Sequence, residues 1–224
     1  MRDVSADLAK EGYVVLTPNL YSSEHFSNIL TPENIKEAMS FMFSIPLGKQ
    51  RDPDYRTAAL NKLEPKQKET IVSVFSKLIE NRPVDEFVDY LISGIDYLSS
   101  TKLTSGKVGC WGFCFGGNIS ANLACTGKID AAVIFYGENP PIDKIKNING
   151  AILGIYGGED MRINQTLDVF VKELVLTKKE FDIKVYPGVH HAFFNNTTEK
   201  TYNKAAAQDA WTTVLTFFDK KLKK

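Results

Sequence analysis

Apolar residues fall along this chain in two alternating rhythms. Short apolar runs occupy residues 13–17, 107–111, 131–136, 151–156 and 181–186. They are rich in Val, Ile, Phe or Tyr and each stops at a Gly or Pro, which predicts strands. Runs this continuous suit strands covered on both faces. Between them the apolar positions fall three or four apart. Residues 3–11 carry Val4, Leu8 and Ala9, and residues 84–98 carry Phe87, Leu91, Ile95 and Leu98. Residues 164–176 set Leu167, Phe170, Val171 and Leu174 on one side, and residues 203–222 set Ala207, Trp211, Val214, Leu215 and Phe218. That spacing predicts amphipathic helices. Strands alternating with helices predict an α/β fold: a mostly parallel sheet with helices on both faces.

Residues 31–83 depart from this alternation. Thr31-Pro32-Glu33 starts a helix, with Thr31 as N-cap and Pro32 at the first helical position. Residues 48–54 read as a polar loop, and Glu64-Pro65-Lys66 opens a second helix running to Glu80. Residues 70–75 have some β character, but the helix is preferred there. The stretch is expected to be a helical insertion within a single 1–224 domain. A lid over a pocket and a plain pair of surface helices both stay open.

Composition narrows the class of function. The 224 residues are 43% hydrophobic and 24% charged, the balance of a globular chain with a sizeable core. Lys+Arg and Asp+Glu are both 27, so the net charge is zero. Nucleic acid is therefore not an expected partner, since binding it needs a basic face. The run of lysines at 220–224 suits the C-terminal end of a helix. No apolar run is long enough to span a bilayer, and Met1-Arg2-Asp3 does not begin a signal peptide. Three cysteines without a CxxC pair argue against a disulfide framework or a zinc site. A cytoplasmic protein with reduced thiols and no metal or cofactor is expected.

The strongest local signal is 107–117, where a strand pattern runs into Gly112-Phe113-Cys114-Phe115-Gly116-Gly117 and then into a helix. This is the spacing of a nucleophile elbow with Cys in place of the usual Ser. A nucleophile on so sharp a turn is strained, so small neighbours two residues away are expected, here Gly112 and Gly116. The turn sets the sulfur at a helix N-terminus, where unsatisfied N–H groups favour the thiolate. It also aims the Phe115 N–H at a developing oxyanion. Asp160 lies just past a predicted strand, after Gly157-Gly158-Glu159, and His190-His191 follow the last strand. The order nucleophile, acid, histidine is that of α/β-hydrolases. Cysteine amidotransferases also use a Gly-x-Cys-x-Gly elbow. Their acid stands two residues after the histidine, whereas here Ala192-Phe193 follow and the acid precedes. His25 sits in a polar loop and is expected at the surface. Cys110, within a strand, and Cys125, at a helix end, are expected to act as small apolar groups.

These residues resemble the dienelactone hydrolase family, a Cys-dependent branch of the α/β-hydrolases, over most of the chain. The likeness rests on the stretch 3–21, on Gly112-Phe113-Cys114-Phe115-Gly116-Gly117, Phe135-Tyr136-Gly137, Gly158-Glu159-Asp160 and His191-Ala192-Phe193, and on the last helix. It implies that Cys114 is the nucleophile, His191 rather than His190 its general base, and Asp160 the group orienting the imidazole. The implied reaction is hydrolysis of an activated ester or enol-lactone through an acyl-thioester, by a monomer or homodimer.

Two departures bear on substrate. The family's substrate-carboxylate arginine, four residues after the catalytic histidine, is Asn195 here. Arg51, Arg56, Arg82 and Arg162 are alternative candidates. The stretch before Val84 is also longer than the resemblance leads one to expect. A third departure is at the start. The family has strands before the helix at 3–11, and the loop after one of them supplies a second oxyanion N–H. Without them the sheet is expected to have an open slot beside 107–111, unless a longer natural chain or another chain fills it. A weakly active or noncatalytic binding or scaffold protein is therefore the alternative function.

Overall fold

The computed structural model describes residues 2–22, 24–50, 52–80 and 82–223; Arg51 and the side chain of His25 lie outside this description. In chain order the helices and strands are α1 (Arg2–Lys10), α2 (Glu24–Ser27), α3 (Pro32–Ser44), α4 (Pro53–Leu60), α5 (Pro65–Phe75), α6 (Val84–Ser100), β1 (Gly109–Phe113), α7 (Phe115–Ala124), β2 (Ala131–Phe135), β3 (Ala151–Gly157), α8 (Met161–Asn164), α9 (Leu167–Leu176), β4 (Phe181–Tyr186) and α10 (Lys204–Leu222). They fall into two compact units. One joins Met1–Thr17 to Val84–Lys224, and the other is Pro18–Pro83.

The first unit is built on a four-stranded sheet in the order β1-β2-β3-β4, parallel throughout. Its strands alternate strictly. Ala131, Val133 and Phe135 of β2 and Ala151, Leu153 and Ile155 of β3 face α1 and α10. Ala132, Ile134, Ile152 and Tyr156 face α6, α7 and α9. Both inner strands are buried throughout. This explains why they read as unbroken apolar runs: each face has its own helical layer to bury against.

Residues 13–17 form no strand. Their alternation survives: Tyr13 and Val15 pack on the α10 side, while Leu16 reaches Gly94 of α6. Among the described residues, however, β1 is hydrogen-bonded to no strand but β2. A run with no neighbouring strand has no ladder to join, whatever its apolar pattern. The helix expected over 164–176 is two helices, interrupted where the Thr166 hydroxyl donates back to Ile163 O at 2.9 Å.

The second unit is helical. Thr31 caps α3, its hydroxyl accepting from Asn34 N at 3.1 Å with Pro32 in the first turn. The expected polar loop at 48–54 instead leads into α4, started by the same device: Asp52 accepts from Tyr55 N at 3.0 Å ahead of Pro53. Helix α3 packs on α5 around Ala38, Ile71 and Val74, with Phe41 and Phe75 rings 6.3 Å apart. Residues 70–75 are helical, and the helix continues as a π-turn over Ser76–Glu80. Among the described residues no helix is long and apolar enough to cross a membrane.

Candidate active site

Cys114 sits between the end of β1 and the first turn of α7, with φ 55° and ψ −116°. A non-glycine residue holds such a conformation only when its surroundings enforce it. Here Cys114 N donates to Phe135 O of β2 at 3.0 Å, and Cys114 O accepts from Asn118 N at 3.2 Å. The turn is so tight that a Cβ on Gly112 would lie 1.9 Å from Gly116 O. Gly117 and Gly137 also meet backbone to backbone, a Cβ on Gly137 falling 2.5 Å from Gly117 C. Gly116 differs from expectation: nothing lies within 4 Å of where its Cβ would be. The steric demand of the elbow falls on Gly112 alone of that pair, because only Gly112 faces the returning chain.

The next two loops are stitched to one another. Gly158 N donates to Tyr186 O at 2.8 Å and Glu159 N to Val189 O at 2.9 Å. Gly157 permits this approach, since a Cβ there would stand 2.5 Å from Val189 O. Asp160, buried at the N-terminus of α8, contacts Nδ1 of His191 through Oδ2. His190 is exposed, while His191 is half-buried and is followed by Ala192 at φ 63° and by fully buried Phe193. That left-handed step and the Phe193 anchor turn the imidazole inward. With Nδ1 on Asp160, Nε2 is the ring nitrogen left for the sulfur of Cys114, which lies close enough for thiol and imidazole to shift one another's protonation. The structure thus brings Cys114, His191 and Asp160 together.

The electrostatics follow from these contacts. Packing around the sulfur would raise the Cys114 thiol. The hydrogen bond and charge of His191, the Phe115 N–H and the Arg162 charge outweigh it, and the thiol ends below its ordinary value. Desolvation would lower the imidazole. The bonds to Asp160 and Cys114 reverse this and take His191 up to about 9. The favoured state is a thiolate beside an imidazolium. The other thiols go the opposite way. Burial pushes Cys110, 3.0 Å from Ser120 Oγ, up to about 12, and Cys125 up to about 11.

A sequence model of the dienelactone hydrolase family matches residues 1–222. The chain belongs to this family. It is a hydrolase of α/β-hydrolase architecture. A Saccharolobus solfataricus protein named "Putative carboxymethylenebutenolidase" is 36% identical over 218 residues, spanning 97% of this chain and 82% of the relative. A Klebsiella pneumoniae structure named "Putative Dienelactone Hydrolase" superposes with TM-score 0.60 at 25% identity, covering 70% of this chain and 68% of the other. The dienelactone hydrolase structure from Anabaena variabilis shares the fold, with TM-score 0.53 at 17% identity over 77% of this chain and 81% of the other.

Asn195 spends its side chain on a local turn, accepting from Thr197 N at 3.1 Å and donating to Thr198 Oγ1 at 3.1 Å. Of the arginine candidates, Arg56 and Arg82 belong to the helical unit. Among the described residues Arg162 is the candidate whose charge acts on Cys114, and its Nη1 is held by Glu138 Oε1 at 2.6 Å. Two neighbours of the site were not legible as such. Glu138 follows β2 in an unpatterned loop. Tyr136, at φ 38°, lies with its ring 4.9 Å from the His191 imidazole. The aromatic before Gly137 was a signal of the family, but nothing local in sequence links it to the histidine.

Proposed function

We propose that this hydrolase cleaves an activated ester or enol-lactone through an acyl-thioester on Cys114. The observation carrying this reading is the Cys114–His191–Asp160 arrangement on a strained elbow at a helix N-terminus. The Cys114 thiolate attacks the carbonyl carbon, forming the C–S bond and placing the negative charge on oxygen. The Phe115 N–H donates to that oxyanion. As the tetrahedral adduct collapses, the C–O bond breaks and His191 Nε2–H passes its proton to the departing alkoxide or enolate. Water then attacks the thioester while Nε2 takes its proton, the C–S bond breaks, and the carboxylic acid leaves with the thiolate restored. Asp160 holds the imidazole with Nδ1–H inward and stabilises its positive form.

The test compares wild type with Cys114→Ala and Cys114→Ser on p-nitrophenyl acetate and on dihydrocoumarin, with mass spectrometry of the acid-quenched enzyme. An acyl group on the Cys114 peptide and loss of turnover in Cys114→Ala are expected. Full activity in Cys114→Ala overturns the reading.

A further inference from the structure

We infer that Asn164 is a positioning residue of this site: its amide holds the turn that presents Asp160, and so leaves the Asp160 carboxylate free to serve His191. The inference rests on the acyl-thioester reading above. Asp160 occupies the N-cap of α8, where an aspartate ordinarily turns its carboxylate onto the N–H groups of the first helical turn. The other polar caps do this. Asp52 accepts from Tyr55 N and Asn203 from Ala206 N, each at 3.0 Å. Asp160 makes no such bond. Its carboxylate is buried and committed to Nδ1 of His191. The turn leading into α8 therefore needs another hold.

Asn164, the last residue of α8, supplies it. Its Nδ2 donates to Gly157 O at 2.8 Å and to Gly158 O at 3.2 Å. Its backbone N–H donates to Asp160 O at 2.9 Å, and Asp160 N closes the turn on Gly157 O at 3.1 Å. The N–H groups of the same turn are taken by the loop that carries His191, Gly158 N by Tyr186 O and Glu159 N by Val189 O. The turn is thus gripped through its N–H groups by the histidine loop and through its carbonyls by Asn164. Those carbonyls fix the orientation of the amide, since a flipped amide would set its oxygen against two others. That orientation leaves Asn164 Oδ1 buried without a partner among the described residues. An unpaired buried acceptor is a cost, carried here because the donor end is needed. Without the amide the turn can relax, and the carboxylate can swing back onto the N–H groups of α8 and away from the imidazole.

Asn164→Ala removes the clamp and adds no charge. On p-nitrophenyl acetate kcat should fall about tenfold to a hundredfold, the loss that a slightly misplaced catalytic group brings. KM should stay within about twofold of wild type. Against desolvation, the bonds and charges of Asp160 and Cys114 hold His191 up to about 9. An uncharged side chain moves that value only through them, so the basic limb of the pH profile should shift down in Asn164→Ala. In Asp160→Asn the clamp has no carboxylate to present, and adding Asn164→Ala should cost less than about twofold more. Asn164→Leu fills the space without donating and should repeat the Ala result, which separates the lost donors from a cavity. Rates are compared well below the melting temperature of each variant. Unchanged kcat overturns the assignment. So does a basic limb that stays near 9, or an extra loss above about twofold in the Asp160→Asn background, since a merely structural residue would give either. Cys114→Ala and Asp160→Asn run in parallel separate the two levels. If either keeps full activity, the reading beneath falls and takes this assignment with it. If both lose activity and Asn164→Ala equals wild type, this assignment alone falls.

Discussion

Gly112 and Gly116 occupy equivalent-looking places two residues either side of Cys114, yet their replacement should have opposite consequences. An added Cβ at Gly112 meets Gly116 O at 1.9 Å, Gly116 C at 2.2 Å and Gly117 N at 2.9 Å. Comfortable contact between such atoms begins at about 3.5 Å, so the nearest pair would have to separate by roughly 1.6 Å. Those atoms are backbone at the start of α7, and no rotamer change relieves them. The elbow would have to open, with the Cys114 N–H to Phe135 O bond at risk. A cost of about 3 kcal/mol or more is expected, at the upper end of overpacking penalties. For a chain of this length that is a fall in melting temperature of roughly 6–12 °C. Gly116→Ala meets nothing and removes a glycine from a helix, so it should be neutral or stabilising by roughly 0.5–1 kcal/mol. The two tryptophans, Trp111 and Trp211, both belong to the sheet unit. Thermal melts followed by their fluorescence therefore report on the affected part. Iodoacetamide labelling of Cys114 reads the elbow directly and should lose its low-pH reactivity in Gly112→Ala. A Gly112→Ala protein that melts with wild type, or a Gly116→Ala protein equally damaged, would refute the steric argument.

Further outcomes follow from the same geometry. Plots of kcat/KM against pH should be bell-shaped, rising below the ordinary thiol range as Cys114 ionises and falling near pH 9 as His191 loses its proton; a fall centred near the ordinary imidazole value would contradict the coupling. The stability His191 gains from its partners should, by the same sign, be fully present below about pH 6.5 and lost as pH rises through about 9, which melts across that window would show. Asp160→Asn should cut kcat by about a thousandfold to ten-thousandfold, and NMR titration should show His191 returning towards its ordinary value. Arg162→Gln should move the onset of Cys114 alkylation to higher pH, because one of the charges favouring the thiolate is gone; an unmoved onset excludes that role. Lys178→Gly should stabilise by roughly 1 kcal/mol, seen as a higher melting temperature, since Lys178 at φ 55° closes α9 in a Schellman motif, Lys178 N bonding Val175 O and Lys179 N bonding Leu174 O.

What was legible in the sequence was what depends on near neighbours. The runs at 131–136, 151–156 and 181–186 carry their own strand signal, and Asn203 and Thr31 cap helices with side chains that reach only three residues. The order of Cys114, Asp160 and His191 was readable because each follows a strand. What was not legible depends on partners far along the chain. Residues 13–17 have the composition of a strand, but a strand exists only where another lies beside it. Gly112 and Gly116 look alike until the path of the turn shows which one faces backbone. Tyr136 meets Cys114 and His191 through the β1–β2 register and the return of the 186–193 loop, neither of which has a local pattern. Helix α4 was a different kind of miss. Asp52-Pro53 repeats the Thr31-Pro32 signal in a stretch whose polarity masked it.

Three of the four strands are each followed by one member of the cluster: Cys114 after β1, Asp160 after β3, His191 after β4. During synthesis the thiol therefore leaves the ribosome well before the carboxylate and imidazole that join it in the folded chain. Until β4 docks, it lacks the His191 partner that contributes most to lowering it. The imidazole's share of the shift at Cys114 arrives only with the last strand, so labelling of Cys114 at mildly acidic pH becomes a timer for completion of the fold.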